Sequence, residues 1–81
     1  MDMTVVRKGQ WIQLSNSIDA YVLSVLSDTE LLIGYMQNGI KPIKENVILD
    51  SGSWKFKSTG PSGGYLRGRE ADIVRRGKGF R

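Results

Sequence analysis

Leu31-Leu32-Ile33-Gly34-Tyr35-Met36-Gln37-Asn38-Gly39-Ile40 is the stretch whose reading decides the fold. Its apolar residues occupy both alternating sets. Leu31, Ile33 and Tyr35 share one side, and Leu32, Gly34 and Met36 share the other. Apolar and aromatic residues are dense, a glycine sits inside, and turn formers close both ends, so the pattern predicts a strand over 30–37 rather than a helix. Asn38-Gly39 tolerates positive φ at both positions. Between apolar runs it is the strongest short-range hairpin signal a sequence can carry.

Working outward toward the N-terminus, Ser27-Asp28-Thr29 supplies turn chemistry and 20–26 reads as a strand. Strict alternation puts Tyr21, Leu23 and Val25 on one face and Ala20, Val22, Ser24 and Leu26 on the other. Ser15-Asn16-Ser17 is a second turn cluster, 10–14 a first strand, and 4–8 a β-prone opening turned at Gly9. Toward the C-terminus, 40–44 returns as a strand that 46–49 continues. Pro42 has no N–H for a ladder, so it marks an edge, a bulge or a bend. Asp50-Ser51-Gly52 turns the chain into 53–58, with Trp54 and Phe56 on one face and Lys55 and Lys57 on the other. Residues 59–64 form a loop by composition. Beyond it the sequence predicts one helical turn over 67–72, a final short strand at Ile73-Val74 and a basic tail over 75–81.

These elements predict an all-β single domain over residues 1–81: a small barrel of five to six short antiparallel strands, with one short helical turn before the last strand. The element order from Gly9 to Gly77 resembles the SH3-like barrel family. At sequence level, GYMQNGIKPIKENV (34–47) and GYLRGREADIVRRG (64–77) are similar to segments of small uncharacterised bacterial proteins encoded on integron gene cassettes. That resemblance implies a bacterial cytoplasmic protein and carries no activity with it.

The 81 residues leave room for one core, burying on the order of 60% of the unfolded chain's surface. The chain has no cysteine and no histidine. This excludes a Cys/His metal site and catalysis by imidazole or thiolate. No cofactor is implied. No run approaches the roughly 20 apolar residues of a membrane span. Met1-Asp2-Met3-Thr4 lacks a signal peptide's basic and apolar regions, so a cytoplasmic location is expected.

Charge is unevenly spread. Residues 1–53 carry four Lys or Arg against six Asp or Glu; residues 54–81 carry eight against two. Lys55, Lys57, Tyr65, Arg67, Arg69, Arg75 and Arg76 are therefore the candidate interface for a protein partner or nucleic acid, since cations neutralise phosphates and a ring stacks on a base. The competing reading is a solvated edge whose lysines block sheet-to-sheet pairing. Gly60-Pro61-Ser62-Gly63-Gly64 lacks the Gly-Lys-Ser/Thr of a phosphate loop. Glu45 with Asp50, or Glu70 with Asp72, sit beside basic residues and read as solvated ion pairs. Ser51 and Ser53 have no histidine as base.

Strands apolar on both faces read as buried on both faces. Two arrangements satisfy 20–26 and 31–36. Either Leu66, Ile73 and Val74, or Val5 and Val6, cover the second face; or that face, Val22, Leu26, Leu32 and Met36 (alternatively Tyr21, Leu23, Ile33 and Tyr35), is the interface of a homo-oligomer, with a dimer favoured. The functional expectation is a non-enzymatic binding or adaptor module that self-associates and contacts another protein. Nucleic-acid binding through the basic third is the alternative. An enzyme centred on an oligomer axis, which resembles the plasmid-type dihydrofolate reductases, also small SH3-like barrels, is a remote third, because no segment here matches their substrate-binding pattern.

Overall fold

The structure is a computed structural model that describes residues 6–57 and 64–77. The expectations for Thr4 and Val5, for residues 58–63 and for 78–81 lie outside the described residues. The elements are β1 (Trp11–Gln13), β2 (Asp19–Ser27), β3 (Glu30–Gln37), β4 (Lys41–Asp50), β5 (Ser53–Phe56) and α1 (Gly68–Arg76). The strands form one antiparallel sheet in the order β1-β2-β3-β4-β5, curled into a half-barrel. At one point its two edges meet: Ser15 N–H donates to the Trp54 carbonyl at 2.9 Å.

Turn chemistry fixes this order. Asn38 and Gly39 both have positive φ, 55° and 72°, and Ile40 N–H closes the turn onto the Gln37 carbonyl at 3.0 Å. The register pairs Gln37 with Lys41, so the loop holds three residues, and Ile40 lies in it rather than opening the next strand. Ser51 (φ 53°) and Gly52 (φ 84°) make the second tight hairpin, with Asp50 opposite Ser53.

β4 is one unbroken ten-residue strand, with no bulge in its register at Pro42. The Pro42 carbonyl accepts from Leu66 N–H at 2.9 Å. A strand residue's N–H and C=O point the same way, so the missing donor lies on that side and no β3–β4 bond is lost. β5 reaches only Val47–Asp50, which leaves the first half of β4 an edge, as a proline requires.

Two register shifts interrupt β2, between Val22 and Ser24 and between Val25 and Ser27. An extra residue resets the alternation. Val25 therefore lies opposite Leu31, on the face that Val22 shares with Ile33, rather than on the face of Leu23. β3 keeps the expected split. Leu31, Ile33 and Tyr35 pack with Val22, Val47 and Trp54 in the larger core. Leu14, just past β1, joins them, so this is the inside of the curl. On the outer, convex face Leu23 packs with Leu66, Ala71 and Val74, and Leu32 and Met36 lie partly buried against them.

The convex cluster exists because residues 68–76 are helical, which corrects the expected strand at Ile73-Val74. Ala71 and Val74, three apart, stack on one helix face and are both buried; as a strand the segment would turn successive residues to opposite sides. Glu70 in the first turn and Arg75 and Arg76 in the last suit the helix dipole. Gly77 (φ 81°) ends it, its N–H bonded to the Ile73 carbonyl at 3.2 Å. Arg75 and Arg76 thus belong to α1, not to a tail, and no strand follows α1 among the described residues. No helix among them is long and apolar enough to cross a membrane.

Candidate anion-binding surface

The edge of β4 that β5 leaves uncovered carries a short docked segment. Lys44 N–H donates to the Gly64 carbonyl at 2.9 Å, Leu66 N–H to the Pro42 carbonyl at 2.9 Å, and Ile43 bridges Tyr65 in antiparallel register. Residues 64–66 thus run beside β4 as a short ribbon. Extrapolating the register two pairs, past Pro42 and Leu66, would set Arg67, whose backbone is extended (φ −136°, ψ 162°), opposite Lys41. Strand residues two apart share a face, so Lys41, Tyr65 and Arg67 lie on one face. Leu66 turns to the other and enters the convex cluster.

Tyr65 is 61% exposed, and the Lys41 ammonium lies 5.7 Å from its ring centroid. This is within reach of a cation–π contact. Lys44 is exposed next along β4, and Arg67, Arg69 and Arg75 are exposed on and before α1. None of these five cations ion-pairs among the described residues. Lys41 and Lys44 were not among the residues expected from sequence. Their place became visible only with 64–66 docked on the edge, which Pro42 alone hinted at.

The expected basic residues do not converge. Lys55 pairs with Asp50 at 3.3 Å, and Arg76 with Asp72 at 3.5 Å across one helical turn. Lys57 Nζ reaches Glu30 Oε2 at 2.9 Å, and the same oxygen accepts from Asn46 Nδ2 at 3.0 Å. Lys57's hydrogen bond, and then Asn46's, hold the Glu30 carboxyl below its ordinary pKa. Lys55 lies opposite Ile48 and Tyr65 opposite Ile43, five positions apart along β4, or about 17 Å at strand rise. Of the expected set, Tyr65, Arg67, Arg69, Arg75 and Arg76 lie on the ribbon and α1, whereas Lys55 and Lys57 lie on and after β5.

Nor do Val22, Leu26, Leu32 and Met36 form one face. Val22 is fully buried inside the curl, Leu32 and Met36 lie against the convex cluster that α1 completes, and Leu26 is 51% exposed. The bulges in β2 and the docking of α1 separate them. Leu66 and Val74 supply the cover expected of the last segment, while Ile73 is only half-buried.

Glu45 is the carboxylate that sequence reasoning misplaced. It is buried inside the curl, 4% exposed, on the β4 position opposite Ile33. Nothing in Lys44-Glu45-Asn46 signals this; the period-two register with Ile43 and Val47 imposes it. Burial, then the charge of Glu45, pushes the Tyr35 phenol above its ordinary pKa. Among the described residues no cluster of acidic side chains could hold a metal ion. A cleft of about 220 Å³ lined by Trp11, Ile18, Asp19, Met36, Val74 and Gly77 falls short of the roughly 300 Å³ at which small-molecule pockets begin. No protein-family model, curated protein or solved structure matches the chain.

Proposed function

We propose that the chain is a non-enzymatic binding module on an SH3-like barrel, one that self-associates and contacts another protein in a cytoplasmic setting. The five-stranded meander whose edges meet at Ser15 and Trp54 supports the SH3-like reading. The helix after β5 departs from the expected pattern. The two segments that resemble integron cassette proteins pack together, with Lys44 bonded to Gly64 and Gly34 beneath Val74.

One observation carries the self-association. At the end of the sheet that holds the β2–β3 and β4–β5 turns, Val25, Leu26 and Leu49 are 44%, 51% and 38% exposed. They are apolar residues on strands, and burying them against a second copy removes them from water. Sedimentation equilibrium across the micromolar range is expected to give a mass above the 9.0 kDa monomer, and Leu26→Lys to raise the dissociation constant about tenfold or more. A 9.0 kDa species at every concentration overturns the reading.

A second reading, nucleic-acid binding, is favoured by Tyr65 flanked by Lys41 and, by register, Arg67, with no acidic partner for either cation among the described residues.

A further inference from the structure

We propose that Lys41, Tyr65 and Arg67 form a subsite for one nucleotide of a single-stranded nucleic acid, its base stacked on Tyr65 and its phosphate held between Lys41 and Arg67. The proposal rests on the second reading above and names where and how the strand binds.

The ribbon register provides the first argument. Ile43 faces Tyr65, so Lys41 and Arg67 are the next same-face pair. Like charges opposite one another on an antiparallel pair are destabilising. No carboxylate among the described residues relieves this pair. An anion placed between the two cations does so, and residues directly opposite on neighbouring strands lie about 5 Å apart, a gap a phosphate spans.

The second argument is Tyr65. Tyr65 is 61% exposed, so much of its ring is open to a stacking partner. The Lys41 ammonium takes one side of the ring, and a ring has two. A base stacks on the other. Stacking is indifferent to sequence because every base has a π-face. The need for an unstacked base selects a single strand over a duplex. A phosphopeptide would use the cations and leave the ring idle. Arg69, two residues beyond Arg67 at the start of α1, is a further exposed cation, whereas Lys44, three positions from Lys41, belongs to the opposite face of the sheet.

The test uses the whole purified chain and a fluorescent single-stranded oligonucleotide of roughly 12 residues, read by anisotropy at 50 and 200 mM salt. Binding is expected to weaken steeply with salt, as counterion release requires. Tyr65→Ala should weaken it about tenfold with the salt slope kept, and Tyr65→Phe should retain it. Lys41→Ala with Arg67→Ala should flatten the slope by about 0.7 for each phosphate no longer neutralised. These side chains lie outside both buried clusters, and an unchanged melting curve verifies that each variant folds. Unaltered binding by Tyr65→Ala, or equal affinity for a phosphoserine peptide of the same charge, overturns the subsite. Binding that survives all three substitutions but is lost in Lys55→Glu with Lys57→Glu overturns it too, and leaves the nucleic-acid reading standing. No binding of any strand at 50 mM salt overturns both.

Discussion

Glu30 Oε2 is a small charge centre fed by two donors from two strands, Lys57 after β5 and Asn46 of β4. Its sequence neighbours, Thr29 and Leu31, give no hint of either. Because the folded-state pKa lies below the ordinary carboxylate value, the contribution is complete at neutral pH and persists down to the ordinary value. It is lost as pH falls through the lowered pKa and the carboxyl takes up a proton. Glu30→Gln should therefore leave a urea midpoint that varies less with pH below about 4.5 than that of the parent, while the two behave alike between pH 6 and 8. Identical acid limbs would show that the Lys57 contact is too solvated to matter.

At the scale of elements, the docking of α1 turns on Gly34. A Cβ built there would meet Val74 Cγ2 at 2.9 Å and Leu66 Cδ1 at 2.7 Å. The leucine end can rotate, but the valine is stiff at χ1. The glycine is thus a seat that lets a helix lie close on the sheet. Gly34→Ala should destabilise by about 1–3 kcal/mol through overpacking, although alanine is the better strand residue. Adding Val74→Ala should recover part of that loss. An unchanged denaturation midpoint for the single variant would show that α1 slides instead. The sequence displayed Gly34 inside a strand but not its reason, because the helix that needs the space lies far along the chain and read as a strand. Ile73-Val74 misled by β-branching, and the three-residue spacing of Ala71 and Val74 was the stronger signal.

For the whole molecule, the meander was legible because its determinants are local. Asn38-Gly39 and Ser51-Gly52 carry the positive φ their hairpins need, and β3 keeps perfect alternation. The candidate site was legible in composition and not in place. That the last third is basic can be read directly, yet Lys55 and Lys57 fell to Asp50 and Glu30, and the ribbon carrying Tyr65 docked on the edge of β4 that holds Lys41 and Lys44, in the less basic part. Long-range pairing decides such matters, and a bulge shifts every residue after it to the other face. The apolar end at Val25, Leu26 and Leu49 and the basic end at Lys41 and Tyr65 lie towards opposite ends of β4, with Lys41 and Leu49 about 27 Å apart at strand rise.

The single bond between Ser15 and Trp54 gives this sheet a clasp. Among the described residues no other backbone hydrogen bond joins the β1 end to β5, so the half-barrel can spread like a cuff while every ladder in it stays intact. The Ser15 amide should then exchange with solvent deuterium faster than the amides of β3, by an opening that urea accelerates less than global unfolding because it uncovers only part of the larger core. Exchange at Ser15 as slow as at Ile33 would show instead that closure and folding are one event.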